Sequence, residues 1–339
     1  MKALVYTGPE SVEVREVPVP ALSDGQVRIR VTYCGICGSD IGIYTGKHPR
    51  AKAPLVLGHE FIGIVDEMKG CTGLFHPGDR VVAYPLLSCG HCIACQEGRP
   101  NACKTLGLIG IDRDGGIANY VNCSENVLFR VPDTLSDRAA AVIEPLAVIV
   151  RTLHLAGFKS LDTAAIIGAG PIGVLTGIML KHSGASRIVI SDIDEARLAL
   201  CRELGLETVQ ARETDFITYI RDTTNGDGVD AVFECSGTEP AAMQITKLCR
   251  IGGTICITGV HKLPHAVDLQ DLNFKEQTMV GSRCYTPREF GQAVAYAAEI
   301  APELEKVVSH IVPINESYRV FDMIKDPAVN TVKVLVDCR

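Results

Sequence analysis

The run Thr163–Asp192, TAAIIGAGPIGVLTGIMLKHSGASRIVISD, decides the fold of the part of the chain around it. Thr163 to Ile167 reads as a strand, Gly168, Gly170 and Gly173 follow in the spacing G-x-G-x-x-G, and Pro171 to Ser183 has the apolar repeat of a helix. Arg187 to Ser191 is a second strand. The pattern is weak by itself and specific here, because it follows a strand, opens a helix and is succeeded by Asp192 at the end of the next strand. Each glycine has a physical reason to be there. Gly168 permits the tight turn, Gly170 lets the backbone approach a pyrophosphate, and Gly173 lets helix and strand pack closely. The helix beginning at Pro171 would then hold the phosphates at its N-terminus. Asp192 can accept hydrogen bonds from ribose hydroxyls and repels a 2′-phosphate, which favours NAD over NADP. Arg197, five residues on, could assist a phosphate instead.

Outward from this unit, strands keep alternating with helices. Glu195 to Leu204 and Pro240 to Cys249 read as helical, Val229 to Glu234 and Thr254 to Thr258 as strands, and this rhythm implies a parallel, doubly wound α/β sheet with right-handed crossovers. The chain before about Ser136 differs. Lys2 to Tyr6, Val12 to Val17, Gln26 to Tyr33, Phe61 to Val65 and Arg80 to Ala83 are short β segments punctuated by Gly and Pro. A last strand-like run, Thr331 to Val336, is expected to return to this first domain.

The composition fits a soluble two-domain protein: 339 residues, 47% apolar and 22% charged. Lys and Arg number 33 against 40 Asp and Glu, a net charge of −7. That balance argues against nucleic acid or an anionic membrane as partner. The N-terminus lacks a secretory pattern, and no run approaches the roughly 18 apolar residues of a membrane span. A cytoplasmic location is therefore expected, where the 14 cysteines are more simply metal ligands or core residues than disulfides.

Their spacing separates them. Cys89, Cys92, Cys95 and Cys103 can close a tetrahedral site with sulfur at every position, the pattern of a structural zinc. An iron–sulfur cluster is the competing reading, but its usual run places the fourth Cys closer and follows it with Pro, where Lys104 stands here. A second, scattered set comprises Cys37 in GICGSD, His59 and Glu60 in VLGHEF, and Glu144 in VIEPLAV. One thiolate, one imidazole and one or two carboxylates can leave a coordination position open, which marks a catalytic zinc. Asp40 could accept the second ring N–H of His59. The remaining nine cysteines have no ligand spacing and read as core or surface residues.

These motifs, with HPGDRV, DGGIANY and GAGPIG, occur in the order found in zinc-dependent medium-chain alcohol dehydrogenases, and the chain resembles that family over nearly its whole length. Glu60 after His59, and Glu144 where alcohol dehydrogenases proper carry Cys, are similar to the sorbitol and polyol dehydrogenase branch, which includes threonine and sugar-acid dehydrogenases. The resemblance implies a GroES-like, distorted β-barrel catalytic domain over residues 1–148 and 287–339, a Rossmann domain over 149–286, and an active site in the cleft. It makes Cys37, His59 and Glu60 metal ligands and Glu144 either the fourth ligand or the holder of the zinc-bound water. It assigns Ser39 to the substrate hydroxyl, and Gly168, Gly170, Pro171, Ile172, Gly173, Asp192, Arg197, Gly259 and Arg283 to the cofactor. It also implies a homo-oligomer, dimer or tetramer. One departure is Gly42, where many relatives have a His that completes a proton relay, so the relay would run through water or Glu144.

The expected activity is oxidation of a secondary alcohol of a polyol, sugar acid or sugar phosphate. An amino alcohol such as threonine is the rival substrate, and a non-catalytic NAD-sensing zinc protein is the rival of a different class. The loop YTGKHPRAKAP carries Lys47, His48, Arg50 and Lys52, either as a solvated stretch or as the holder of a substrate carboxylate or phosphate.

Overall fold

The computed structural model describes all 339 residues. They form two compact units, Met1–Ala147 with Tyr285–Arg339, and Val148–Cys284.

The first unit is built around a seven-stranded sheet. Its path runs Leu128–Arg130, Arg80–Ala83, Glu60–Lys69, Gln26–Gly35, Lys333–Asp337 and Val308–Pro313, with Tyr120–Ser124 also paired to Gln26–Gly35. The central strand QVRIRVTYCG alternates, burying Val27, Ile29 and Val31 completely while Arg30 faces water. Period two on one apolar face fixes its register. Against Glu60–Lys69 that register shifts twice, between Arg28 and Ile29 and between Val31 and Tyr33. Such bulges bend and twist a strand, which curves the sheet. The C-terminal strand lies in this same sheet, with Leu335 opposite Gly35 and Val336 opposite Cys34.

The second unit is a six-stranded parallel sheet in the order Glu207–Gln210, Arg187–Asp192, Thr163–Ile167, Val229–Glu234, Cys249–Ile257, Thr278–Gly281. The strand order reverses direction at Thr163–Ile167, so the glycine turn after that strand opens at the switch point where such sheets bind ligands. Two short edge strands, Glu207–Gln210 and Thr278–Gly281, have too few residues to show a pattern. The helix expected over Pro240 to Cys249 is instead two short ones, Glu239–Ala242 and Ile245–Leu248. Cys249 pairs with Val229 and begins the next strand. Sheet pairing captures what local periodicity assigned to a last helical turn. No helix is long and apolar enough to cross a membrane.

Candidate metal centres and cofactor loop

Cys37 stands at the N-terminus of the helix Gly38–Tyr44, and its amide donates to Asp40 Oδ2 at 2.9 Å. His59 and Glu60 open the strand Glu60–Lys69, with Glu60 opposite Gly35 in the ladder. A turn, a strand end and a ladder partner thus bring one Cys, one His and one Glu together. Their ligand atoms all lie within 4.8 Å of one another. His59 and Glu60 are 4% and 1% exposed, so whatever charge they carry must be answered inside the protein. Burial alone would depress the His59 imidazole, but the Cys37 thiolate beside it outweighs this and raises it.

Several buried polar atoms here lack a hydrogen-bond partner: Ser39 Oγ, Asp40 Oδ1 and His59 Nδ1. The hydrogen bond expected between Asp40 and His59 is therefore not made, Asp40 being turned to the Cys37 amide. Orphaned polar atoms are rare in native interiors and point to a missing partner. A zinc ion fits this donor set, since thiolate, imidazole and carboxylate are its ligands in catalytic sites.

Glu144 lies in the first turn of the helix Ile143–Ala156, outside the converging three, and accepts a short hydrogen bond from the Tyr285 hydroxyl. Burial pushes its carboxyl up to about 7, opposed chiefly by the His59 charge. The geometry also supplies residues that the linear reading missed. Lys333, 2% exposed, forms an ion pair with Glu60 Oε2 and donates to the Ile36 carbonyl at 3.0 Å. Burial would strip its proton, but the charges of Glu60 and Cys37 hold it on. A Cβ on Gly35 would collide with both Glu60 Oε2 and the Lys333 stem, so glycine at that position admits the pair. No local signal could have linked positions so far apart in the chain.

The second candidate centre is local. Cys89, Cys92, Cys95 and Cys103 also converge within 4.8 Å, and none is in a disulfide. Cys92 Sγ and Cys95 Sγ are 3.5 Å apart, near the edge of about 3.8 Å that Zn–S bonds of about 2.3 Å give a tetrahedron. The Cys89 amide donates to Cys103 Sγ at 3.3 Å, as suits a thiolate. Gly90, at φ +77°, provides the left-handed turn between the first two cysteines. Six of the nine other cysteines are buried, and the remaining three, Cys71, Cys235 and Cys284, are half-buried.

In the second unit Gly168 has φ +102°, and a Cβ on Gly173 would strike the Gly168 carbonyl. Gly170 begins the helix Pro171–His182, and its Cβ direction is open, with only Arg197 at 4.0 Å. This is a cradle that a pyrophosphate can enter and a side chain would fill. Asp192 accepts from the Ala169 amide at 2.5 Å and the Asp194 amide at 2.9 Å. Arg197 pairs with Asp194 at 3.5 Å. Ile172 is in the first helical turn, half-buried Gly259 packs on Gly237 and Glu234, and Arg283 is exposed beyond the Thr278–Gly281 strand. Glu234, fully buried, belongs to no motif of the linear chain. Its Oε1 accepts from the Ser236 and Gly237 amides, both at 2.8 Å, and its Oε2 meets His261 Nε2 at 2.9 Å. It thereby pins the turn that packs on Gly168.

Comparison with known proteins sets these features in a family. Residues 23–133 match the alcohol dehydrogenase GroES-like domain, and 171–299 match the zinc-binding dehydrogenase family. A sorbitol dehydrogenase of Halalkalibacterium halodurans is 35% identical over 99% of both chains. A 2-dehydro-3-deoxy-L-galactonate 5-dehydrogenase of Pseudoalteromonas atlantica is 32% identical over 100% of this chain and 99% of its own. A solved structure from Sinorhizobium meliloti 1021, bound to NADP, superposes with a TM-score of 0.93 at 34% identity, covering 99% of this chain and 98% of that one. With this agreement in motif order, domain content and fold, the chain belongs to the zinc-binding medium-chain alcohol dehydrogenases, in the company of polyol and sugar-acid dehydrogenases.

Proposed function

We propose that the protein oxidises a secondary alcohol of a polyol, sugar acid or sugar phosphate to the ketone, with one catalytic zinc, one structural zinc and NAD. One observation carries the reading above others: Cys37, His59 and Glu60 converge within 4.8 Å while Ser39 Oγ and His59 Nδ1, both buried, lack partners. When bound, zinc supplies a Lewis acid that lowers the pKa of a substrate hydroxyl, and NAD supplies the hydride acceptor. Cys37, His59 and Glu60 would hold the metal. Ser39 would receive the hydroxyl proton and pass it on, through water or to Glu144, because Gly42 offers no imidazole. Glu144 would otherwise complete the ligand set. Lys333 keeps the Glu60 carboxylate charge-balanced, and Tyr285 orients Glu144. Cys89, Cys92, Cys95 and Cys103 would close the structural site.

The cofactor preference rests on Asp192, whose carboxylate would accept from the ribose hydroxyls and repel a 2′-phosphate. The test is nicotinamide reduction over a panel of polyols, sugar acids, sugar phosphates and threonine, with each cofactor, with and without a chelator. Oxidation that requires metal and prefers NAD is expected, and Asp192→Ser should lower the NAD-to-NADP ratio of kcat/KM about tenfold or more. A wild-type preference for NADP would sink the Asp192 assignment. Failure to oxidise any member of the panel would sink the dehydrogenase reading.

The protein is also proposed to self-associate. Thr278–Gly281 is an edge strand, and Met279 within it and Phe274 at the end of the preceding helix are 40% and 74% exposed. Open edges with apolar neighbours need covering, and a second copy of the same edge can do it. Light scattering should give a dimer or tetramer mass, and a monomer at micromolar concentration would refute this.

A further inference from the structure

The charged loop after Cys37 finds its partners on a distant segment. Arg50, on that loop, donates to the Leu106 carbonyl in a short hydrogen bond and pairs with Asp112 at 3.3 Å. Around it lies an open surface pocket of about 460 Å³ lined by Arg50, Lys104, Arg113 and Asp112, together with Leu87 and Leu106. Three cations face one carboxylate there, which leaves a net charge of about +2. Lys47 and Lys52, the other cations of the loop, are exposed and do not line it.

The position of the pocket matters as much as its charge. The turn that carries Asp112 and Arg113 is closed by the Gly110 amide donating to the Arg113 carbonyl at 2.7 Å. A Cβ on Gly110 would meet the Gly58 carbonyl at 2.5 Å, and the Gly116 amide donates to that carbonyl at 2.8 Å. The turn therefore sits backbone to backbone on the residue before His59. On the other side of Arg50, His48 Nδ1 accepts from the Arg50 and Ala51 amides at 3.3 and 3.2 Å, which fixes the turn that carries Arg50.

We infer that this pocket receives a phosphate ester group of the substrate, held by Arg50, Lys104 and Arg113, while its hydroxyl is at the Cys37, His59 and Glu60 centre. A phosphate monoester carries about −1.5 to −2 at neutral pH, which matches the pocket, whereas a carboxylate would leave one positive charge unanswered. Arg50 is held by its own protein partners and so is preorganised, and Arg113 and Lys104 bring the free donors. This inference rests on the dehydrogenase reading above and names its substrate class.

The test uses the full chain loaded with zinc and NAD, on five- and six-carbon polyols, their aldonates and their terminal phosphate esters. The phosphate ester should be preferred over the matching polyol by about a hundredfold or more in kcat/KM. In Arg113→Ala and Lys104→Ala, both at exposed positions, that preference should fall about tenfold each, through KM, and in the double variant further. Binding of inorganic phosphate, followed by phosphorus NMR, should weaken in the same variants. Oxidation of polyols with no preference for the phosphate ester, or equal losses on esters and polyols in the variants, would overturn the phosphate assignment and leave the dehydrogenase reading standing. Phosphate binding that depends on Arg113, in a protein that oxidises no alcohol, would instead overturn the dehydrogenase reading and the substrate role with it.

Discussion

Replacing Cys37 by Ser should lower turnover by at least about a thousandfold, the scale of several kcal/mol of Lewis-acid stabilisation, while NAD binding stays within about twofold. A neutral hydroxyl is a poor substitute for a thiolate as a zinc ligand, and His59 and Glu60 alone do not make a closed set. The nucleotide cradle at Gly168, Gly170 and Gly173 belongs to the other compact unit and carries no metal ligand. Zinc content should fall from about two per chain to about one, the ion kept by Cys89, Cys92, Cys95 and Cys103. Metal analysis, cofactor titration and turnover on one preparation decide the matter. Normal activity in this variant would remove the catalytic metal from the mechanism, and lost activity with both zinc ions retained would give Cys37 a role other than ligation.

The second large effect is expected from Lys333→Met. It removes the cation from a pair whose two members are 2% and 1% exposed, leaving Glu60 buried with its charge unanswered. Breaking a buried pair from one side costs about 3 to 5 kcal/mol, far more than the net worth of the pair. Met keeps most of the stem volume, so the loss is electrostatic rather than a packing void. A divalent ion on Glu60 can replace the missing charge. The fall in thermal midpoint should therefore be larger in chelator-treated protein than in zinc-loaded protein, and zinc should rescue the variant more than it stabilises the wild type. Equal falls in both states would mean that Lys333 acts through packing and not through the Glu60 charge.

Much of this was legible in the linear chain because the relevant physics is local. The turn from Gly168 to Gly173 is readable since a pyrophosphate cradle needs backbone without side chains at fixed spacing, and the structure shows why at Gly173, where any Cβ meets the Gly168 carbonyl. The four cysteines from Cys89 to Cys103 are likewise close in sequence because a short lobe must wrap one ion. Alternation in Gln26–Gly35 and the helix–strand rhythm after Thr163 follow from burial of one face or both. What failed was also physical. The Pro240 to Cys249 helix gave way at its end because Cys249 pairs with Val229, a bond between segments that no window of sequence contains.

The sequence by itself determined the residue types that can do chemistry, the parallel sheet and its phosphate turn, and the partition of the cysteines into candidate ligands and the rest. Those depend on spacing within a few residues and on hydrophobic period. Only the tertiary structure decided what each charged group faces. It placed Lys333 on Glu60, Tyr285 on Glu144, Glu234 under the turn beside Gly168, and Arg50 with Lys104 and Arg113 around one pocket. Charge compensation in a buried site is settled by distance in space, and strand pairing brings residues near each other that lie hundreds of positions apart along the chain.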